Sequence, residues 1–363
     1  MRIAVLGGGN GSFAAAGDLA LSGHAVRLWR RDAVAVAVHR TAGMRIAVKD
    51  SQGSHIALLD EVTTDLGAAV ADAALILCPA PATAQADIAA ALAPHLRAGQ
   101  VVFLPPGSFG SMVFAQAARR AGTADGVAFA ETGTLPWLAR KHGPHEVAIT
   151  VRAKHLPTGV FPQRAAGAAL AVLGTVFPGA ITDCGDVLSA ALMNAGPIIH
   201  PPLIMMNAGP LEHFPRWDIH KEGTQPAIRR VTDALDAERI AVREALGYGA
   251  PHFPLADHYA ADGPEWMYGR GSHDRLTDSG DWREHIVLTA HRYMREDLRI
   301  GLSLLVSVAE RAGVETPLAR AFLSIGGAVC GEDFSAGGRT LASLGLGDNS
   351  MAALQAMLRE GLR

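Results

Sequence analysis

The pattern of apolar and polar positions divides the chain near residue 183, with short apolar runs alternating with helical spacings before it and long amphipathic patterns after it. The opening run Ile3-Ala4-Val5-Leu6 predicts a strand, Gly7 to Ser12 a turn, and Phe13 to Ser22 a helix stopped at Gly23. Ala25 to Trp29 predicts a second strand, completing a βαβ unit. Further strands are expected at Ala74 to Pro79, Gln100 to Leu104 and Val127 to Ala130, with a helix at Ala84 to Leu96. Met44 to Asp60 alternates around Ser51-Gln52-Gly53-Ser54 and predicts an inserted hairpin. Glu146 to Ala153 and Ile181 to Cys184 are expected to complete the same sheet, on either side of an apolar helix at about Ala165 to Val176.

This rhythm predicts an α/β chain: a Rossmann-type, doubly wound parallel sheet domain over residues 1–183, then a mostly helical domain over residues 184–363. The glycine turn supplies the chemistry of the first domain. Gly7 makes the tight turn, Gly9 permits close approach of a pyrophosphate, and Asn10, Gly11 and Ser12 open the helix whose positive end faces it. Ser12 stands where a third glycine or alanine is usual. Pro79, at the tip of its strand, is expected beside the dinucleotide. After the second strand come Arg30 and Arg31, so the cofactor is expected to be NADP, with NAD possible. Asp32 reads either as a helix N-cap or as a ribose ligand.

In the second half, amphipathic helices are expected at Gln225 to Leu246 and Trp282 to Ala312. A helix capped by Asp186 is expected to stop at Gly196-Pro197, and the repeated Asn-Ala-Gly-Pro at residues 194 and 207 reads as two helix stops. Pro201 is expected to push His200 out of helical geometry, onto a stiff extended corner. His200 is then either a satisfied core histidine or a proton carrier. Helical spacing from Asp297 gives Ile300, Gly301, Leu304, Leu305 and Val308, which sets Asp297 on a buried face where a carboxylate needs a partner. That partner is a structural arginine or a catalytic group. Arg292 reads as a surface pair with Glu296 or as an anion-binding residue.

Composition narrows the partners. With 32 basic and 35 acidic residues the net charge is -3, which argues against nucleic acid or an acidic membrane surface and for small-molecule substrates. Three scattered cysteines lack metal-ligand spacing, so no metal is expected and the compartment reads as reducing. The first residues form a strand rather than a signal peptide, and the uncharged stretch 165–180 is too short and glycine-broken to span a bilayer, so a cytoplasmic protein is expected.

Four segments together resemble the opine (octopine) dehydrogenase family: Gly7 to Gly11, Glu131-Thr132 to Leu135-Pro136, Asn194 to Pro201, and Arg292-Tyr293 through Glu296-Asp297 to Gly301-Leu302. The resemblance implies reductive condensation of an amino acid with a 2-oxo acid at the expense of NADH or NADPH. It also implies a catalytic pair at His200 and Asp297, an active-site role for Arg292, and a homodimer. Asn194 and Thr132, inside the matching segments, are expected to bind substrate. Ser12, Trp137 in place of a frequent Tyr, and the Arg30-Arg31 pair depart from the family pattern. Two other readings are a hydroxyacid or polyol-phosphate dehydrogenase of the ketopantoate reductase type, which would need a lysine from the helical half, and a non-catalytic NADP sensor. Only Lys221 is available to the first.

Overall fold

The computed structural model describes residues 1–362. Its main sheet has eight strands: β1 (Arg2–Leu6), β2 (Ala25–Trp29), β5 (Glu61–Thr63), β6 (Leu75–Leu77), β7 (Val101–Leu104), β8 (Ala128–Thr132), β11 (Leu156–Phe161) and β12 (Ile181–Asp186). They lie side by side in the order β12-β11-β8-β7-β6-β1-β2-β5. All pairings are parallel except β8 with β11. The short apolar runs are buried on both faces, as parallel strands between helices must be.

A second sheet holds β3 (Arg45–Asp50), β4 (Gly53–Leu58), β9 (Trp137–Gly143) and β10 (Glu146–Arg152), ordered β4-β3-β10-β9. The expected hairpin is therefore half of a larger unit. Glu146–Arg152 belongs here, antiparallel to β9, and not to the main sheet. Its place in the main sheet is taken by Leu156–Phe161, whose Pro157 and Gly159 hide a strand from pattern reading. The second sheet packs on the helix Asn10–Leu21, and Asp18 of that helix ties it down. Asp18 accepts from Trp137 Nε1 at 2.6 Å and from Arg152 Nη2 at 2.7 Å.

After β12 the chain is helical. Gln225 to Leu246 forms the helix Pro226–Ala245 as expected, but Trp282 to Arg292 is irregular and the helix expected there begins only at Tyr293. Asn-Ala-Gly-Pro starts helices rather than stopping them: Gly196–Met205 and Ala208–His213 each carry the proline in the first turn, where a missing N–H is harmless. One apolar cluster runs from a face of the main sheet (Leu104, Phe109) into the helical half (Leu188, Ile198, Leu298, Leu302). The last segment returns to the first half, with Arg339 Nη1 donating to Ser108 O at 2.8 Å and Gln116 Nε2 to Leu344 O at 2.7 Å.

Candidate active site

The glycine turn forms as its residues dictate. Gly7 has φ +118°, a conformation open to glycine, and Ser12 Oγ donates to Leu6 O at 3.2 Å, joining helix to strand. Gly9 caps the helix Asn10–Leu21 without a side-chain acceptor, and no acidic residue occupies the first turn. A Cβ added at Gly9 would meet no protein atom. This is an open, positively polarised backbone cradle of the kind that takes a pyrophosphate. Gly9, Asn10, Gly11 and Pro79 line a cavity of about 300 Å³, to which the helical half contributes Asn194, His200, Arg292, Glu296 and Asp297.

At the end of β2, Asp32 is a helix N-cap, accepting from Val34 N at 2.9 Å and Ala35 N at 3.1 Å. Arg30 lies over the Phe13 ring, 5.6 Å from its centroid, while Arg31 is exposed. Lys141, from β9, places Nζ 4.0 Å from the same centroid, and its backbone N–H bonds Asn10 Oδ1 at 3.0 Å. Partial burial holds both cations below their ordinary pKa values, and Arg30 adds to the effect on Lys141. Among the described residues neither cation has an ion-pair partner.

His200 is not on an extended corner. It sits within the helix Gly196–Met205, which continues through Pro201 and Pro202 because burial against neighbouring helices outweighs the missing N–H groups. The facing segment Tyr293–Leu302 is a π-helix, not the expected α-helix, and passes into the α-helix Ser303–Ala312. The wider winding leaves Ile300 half-buried while Asp297, Gly301 and Leu302 stay inside. The two helices meet through glycine: a Cβ at Gly196 would collide with Asp297 Oδ1, and one at Gly301 with Pro197.

That contact sets His200 Nδ1 2.8 Å from Asp297 Oδ2, with both residues largely buried. Tyr293 stacks on the imidazole, ring centroids 3.8 Å apart. Burial pushes the Asp297 carboxyl up to about 7, against the pull of Arg292. Burial also holds His200 well below its ordinary value, reinforced by the Arg292 and Arg140 charges and opposed by Glu296. Each partner thus favours its uncharged form, and the proton belongs to the pair.

Arg292 does face Glu296, at 3.3 Å, as a pair with one half accessible and one half not: Arg292 is exposed, whereas Glu296 is buried, and its Oε1 accepts from Ala82 N at 2.8 Å across the two halves. Asn194 lines the cavity with its amide already engaged, donating to Ser108 Oγ at 2.7 Å and accepting from Gly196 N at 3.0 Å. Thr132 lies outside the cavity, fully buried, its hydroxyl donating to Pro157 O at 2.7 Å, so it is corrected to a residue of the sheet interior. Lys221 is also outside, beside Asp278, and among the described residues no lysine lines the cavity.

Sequence reading missed Tyr293 as a stacking partner, Lys141, and Arg140. Arg140 lines the cavity, donates from Nη2 to Glu284 at 2.9 Å, and lies over Trp282, Cζ to ring centroid 4.8 Å. The basic pair Arg140-Lys141, separated from the Leu135-Pro136-Trp137 segment only by Leu138 and Ala139, was the available signal, but only the pleat of β9 shows where the two go.

Three comparisons place these features. A family model described as the α-helical domain of NAD/NADP octopine/nopaline dehydrogenase matches residues 183–330. The chain is 30% identical over 363 residues to an opine dehydrogenase of Arthrobacter sp. (strain 1C), covering 97% of each. The fold is similar to that of an octopine dehydrogenase in complex with NADH and agmatine, with TM-score 0.74 and 17% identity over 100% of this chain and 99% of the other. It is also similar to yersinopine dehydrogenase with NADP+ bound, with TM-score 0.67 and 17% identity over 99% of each chain.

Proposed function

The chain belongs to the opine dehydrogenase family, and on that premise we propose that it condenses the amino group of an amino acid with a 2-oxo acid and reduces the imine to an N-(carboxyalkyl) amino acid. The observation that carries the reading is the 2.8 Å His200–Asp297 hydrogen bond, in a cavity shared with an open glycine turn. A bound nicotinamide dinucleotide supplies the hydride, its pyrophosphate held by the Gly7–Ser12 turn.

His200 and Asp297 are the proposed catalytic residues. With Nδ1 engaged by Asp297, Nε2 is the nitrogen left for substrate. It takes a proton from the substrate ammonium, so that the free amine can attack the ketone carbon, and returns it as the hydroxyl leaves as water. Asp297 holds the tautomer and stabilises the transient imidazolium. Tyr293 keeps the ring in plane.

Two substrate carboxylates need two cations, and the cavity has Arg292 and Arg140. Arg30 with Lys141 supports a preference for NADPH, because two unpaired, partly dehydrated cations suit a ribose phosphate. The same proposal includes a homodimer and a cytoplasmic location; the division expected at residues 183/184 falls inside β12 (Ile181–Asp186) and moves to its end. NADPH and NADH oxidation against a matrix of amino acids and 2-oxo acids tests the reaction. Turnover that requires both an amine and a ketone is expected, and reduction of the ketone alone would replace this reading with a hydroxyacid dehydrogenase.

A further inference from the structure

His220, whose ring centroid lies 5.9 Å from that of His200, belongs with His258, Trp266, Tyr268, Leu276 and Trp282 to the walls of the same cavity, an aromatic chamber. We propose that this chamber receives the side chain of the amino acid substrate and selects a bulky, uncharged one. The inference rests on the reading that an amino acid and a 2-oxo acid meet beside His200.

The walls present carbon. Trp266 Nε1 is turned away to Phe253 O at 3.0 Å. The Tyr268 hydroxyl accepts from Thr134 Oγ1 at 2.7 Å and donates to Leu135 O at 2.9 Å, leaving its ring towards the cavity. Leu276 adds an aliphatic face. Burial keeps both imidazoles neutral, with His258 pushed down to about 3 and His220 also well below its ordinary value. Of the six wall residues, His220 alone carries a buried polar atom without a partner, Nδ1.

Among the described residues every carboxylate that lines the cavity already has an ion-pair or hydrogen-bond partner. The carboxylates that line the cavity are Glu296 and Asp297, one engaged by Arg292 and the Ala82 N–H, the other by His200. At the chamber edge stands a cation, Arg140 over Trp282. A guanidinium or ammonium group entering here would lose water without gaining a free carboxylate, since Glu284 is already paired with Arg140. An acidic side chain finds no further cation among the described residues that line the cavity, since Arg292 and Arg140 are committed to the two substrate carboxylates. Aromatic and aliphatic side chains bury against the rings with nothing to desolvate.

The test is a panel of amines with the full-length protein, saturating NADPH and pyruvate as the 2-oxo acid. Leucine, methionine and phenylalanine are compared with arginine, lysine and glutamate by kcat/KM. The best uncharged amine should exceed each charged one by about a hundredfold or more. Arginine or glutamate turned over as well as the best uncharged amine would overturn the chamber's selectivity while leaving the reaction class intact. Leu276→Glu, checked for native circular dichroism, should narrow the gap to arginine by at least about tenfold. If no amine supports turnover, the reaction reading fails instead. Quenching of Trp266 and Trp282 fluorescence then decides the chamber by itself: tighter binding of phenylalanine than arginine in the presence of NADP+ supports it, and equal binding refutes it.

Discussion

The Gly7–Ser12 turn and the helix pair Gly196–Met205 with Tyr293–Leu302 line one cavity but are built by different rules. In the turn, backbone freedom at Gly7, an uncapped helix start and an apolar strand suffice, and each is a property of residues close in sequence. In the helix pair, local preference is overruled: two prolines lie inside a helix, and the facing segment winds as π rather than α. What decides there is contact between residues 97 positions apart. The lesson is that binding of a common cofactor can be written locally, whereas positioning a proton carrier requires two distant segments to fit each other.

The sharpest way to break the comparison is His200→Ala. It should lower turnover by about 100- to 10,000-fold while leaving the dissociation constant of the dinucleotide nearly unchanged. Near-wild-type rates, with a confirmed amine and ketone pair, would dissolve the separation between the two regions. The pH profile carries the same point. Since the Asp297 carboxyl is raised to about 7, the pair holds its proton below that pH and loses it above. Condensation, which begins with the pair taking a proton from the substrate ammonium, should speed up as pH rises through this range, and so should oxidation of the product, which also needs a base. Asp297→Asn should lower turnover and flatten both profiles; a wild-type profile in that variant would exclude the pair as the titrating unit.

Gly196→Ala probes the packing rule directly. The new Cβ would press on Asp297 Oδ1, and a loss of about 1–3 kcal/mol is expected in urea unfolding, with a drop in turnover. Unchanged stability would mean that the helix pair tolerates separation. The smallest expected effect is at the turn's edge, in Lys141→Ala. The dissociation constant of NADPH should rise by about tenfold, the low end for a charge-assisted contact because the ammonium is half exposed, and that of NADH should stay put. Equal weakening of both cofactors would show that the Lys141 ammonium does not read the ribose phosphate.

The sequence alone determined the first βαβ unit, the strands that became β6, β7 and β8 and the burial of Asp297, and it offered the N-cap as one of two readings of Asp32, because each follows from spacing or from the conformational limits of one residue. The resemblance carried by its motifs also named His200 and Asp297 as a pair. Tertiary structure alone decided that Glu146–Arg152 joins a second sheet, that Thr132 belongs to the sheet interior, and that Asn-Ala-Gly-Pro opens helices. It also decided that Arg140 and Lys141 diverge to two ends of the site. Strand partnership, the direction of a proline-bearing helix and the destination of a surface cation depend on what packs against them. Ala47 pairs with Glu146 and Glu284 with Arg140, partners far beyond the reach of any local pattern.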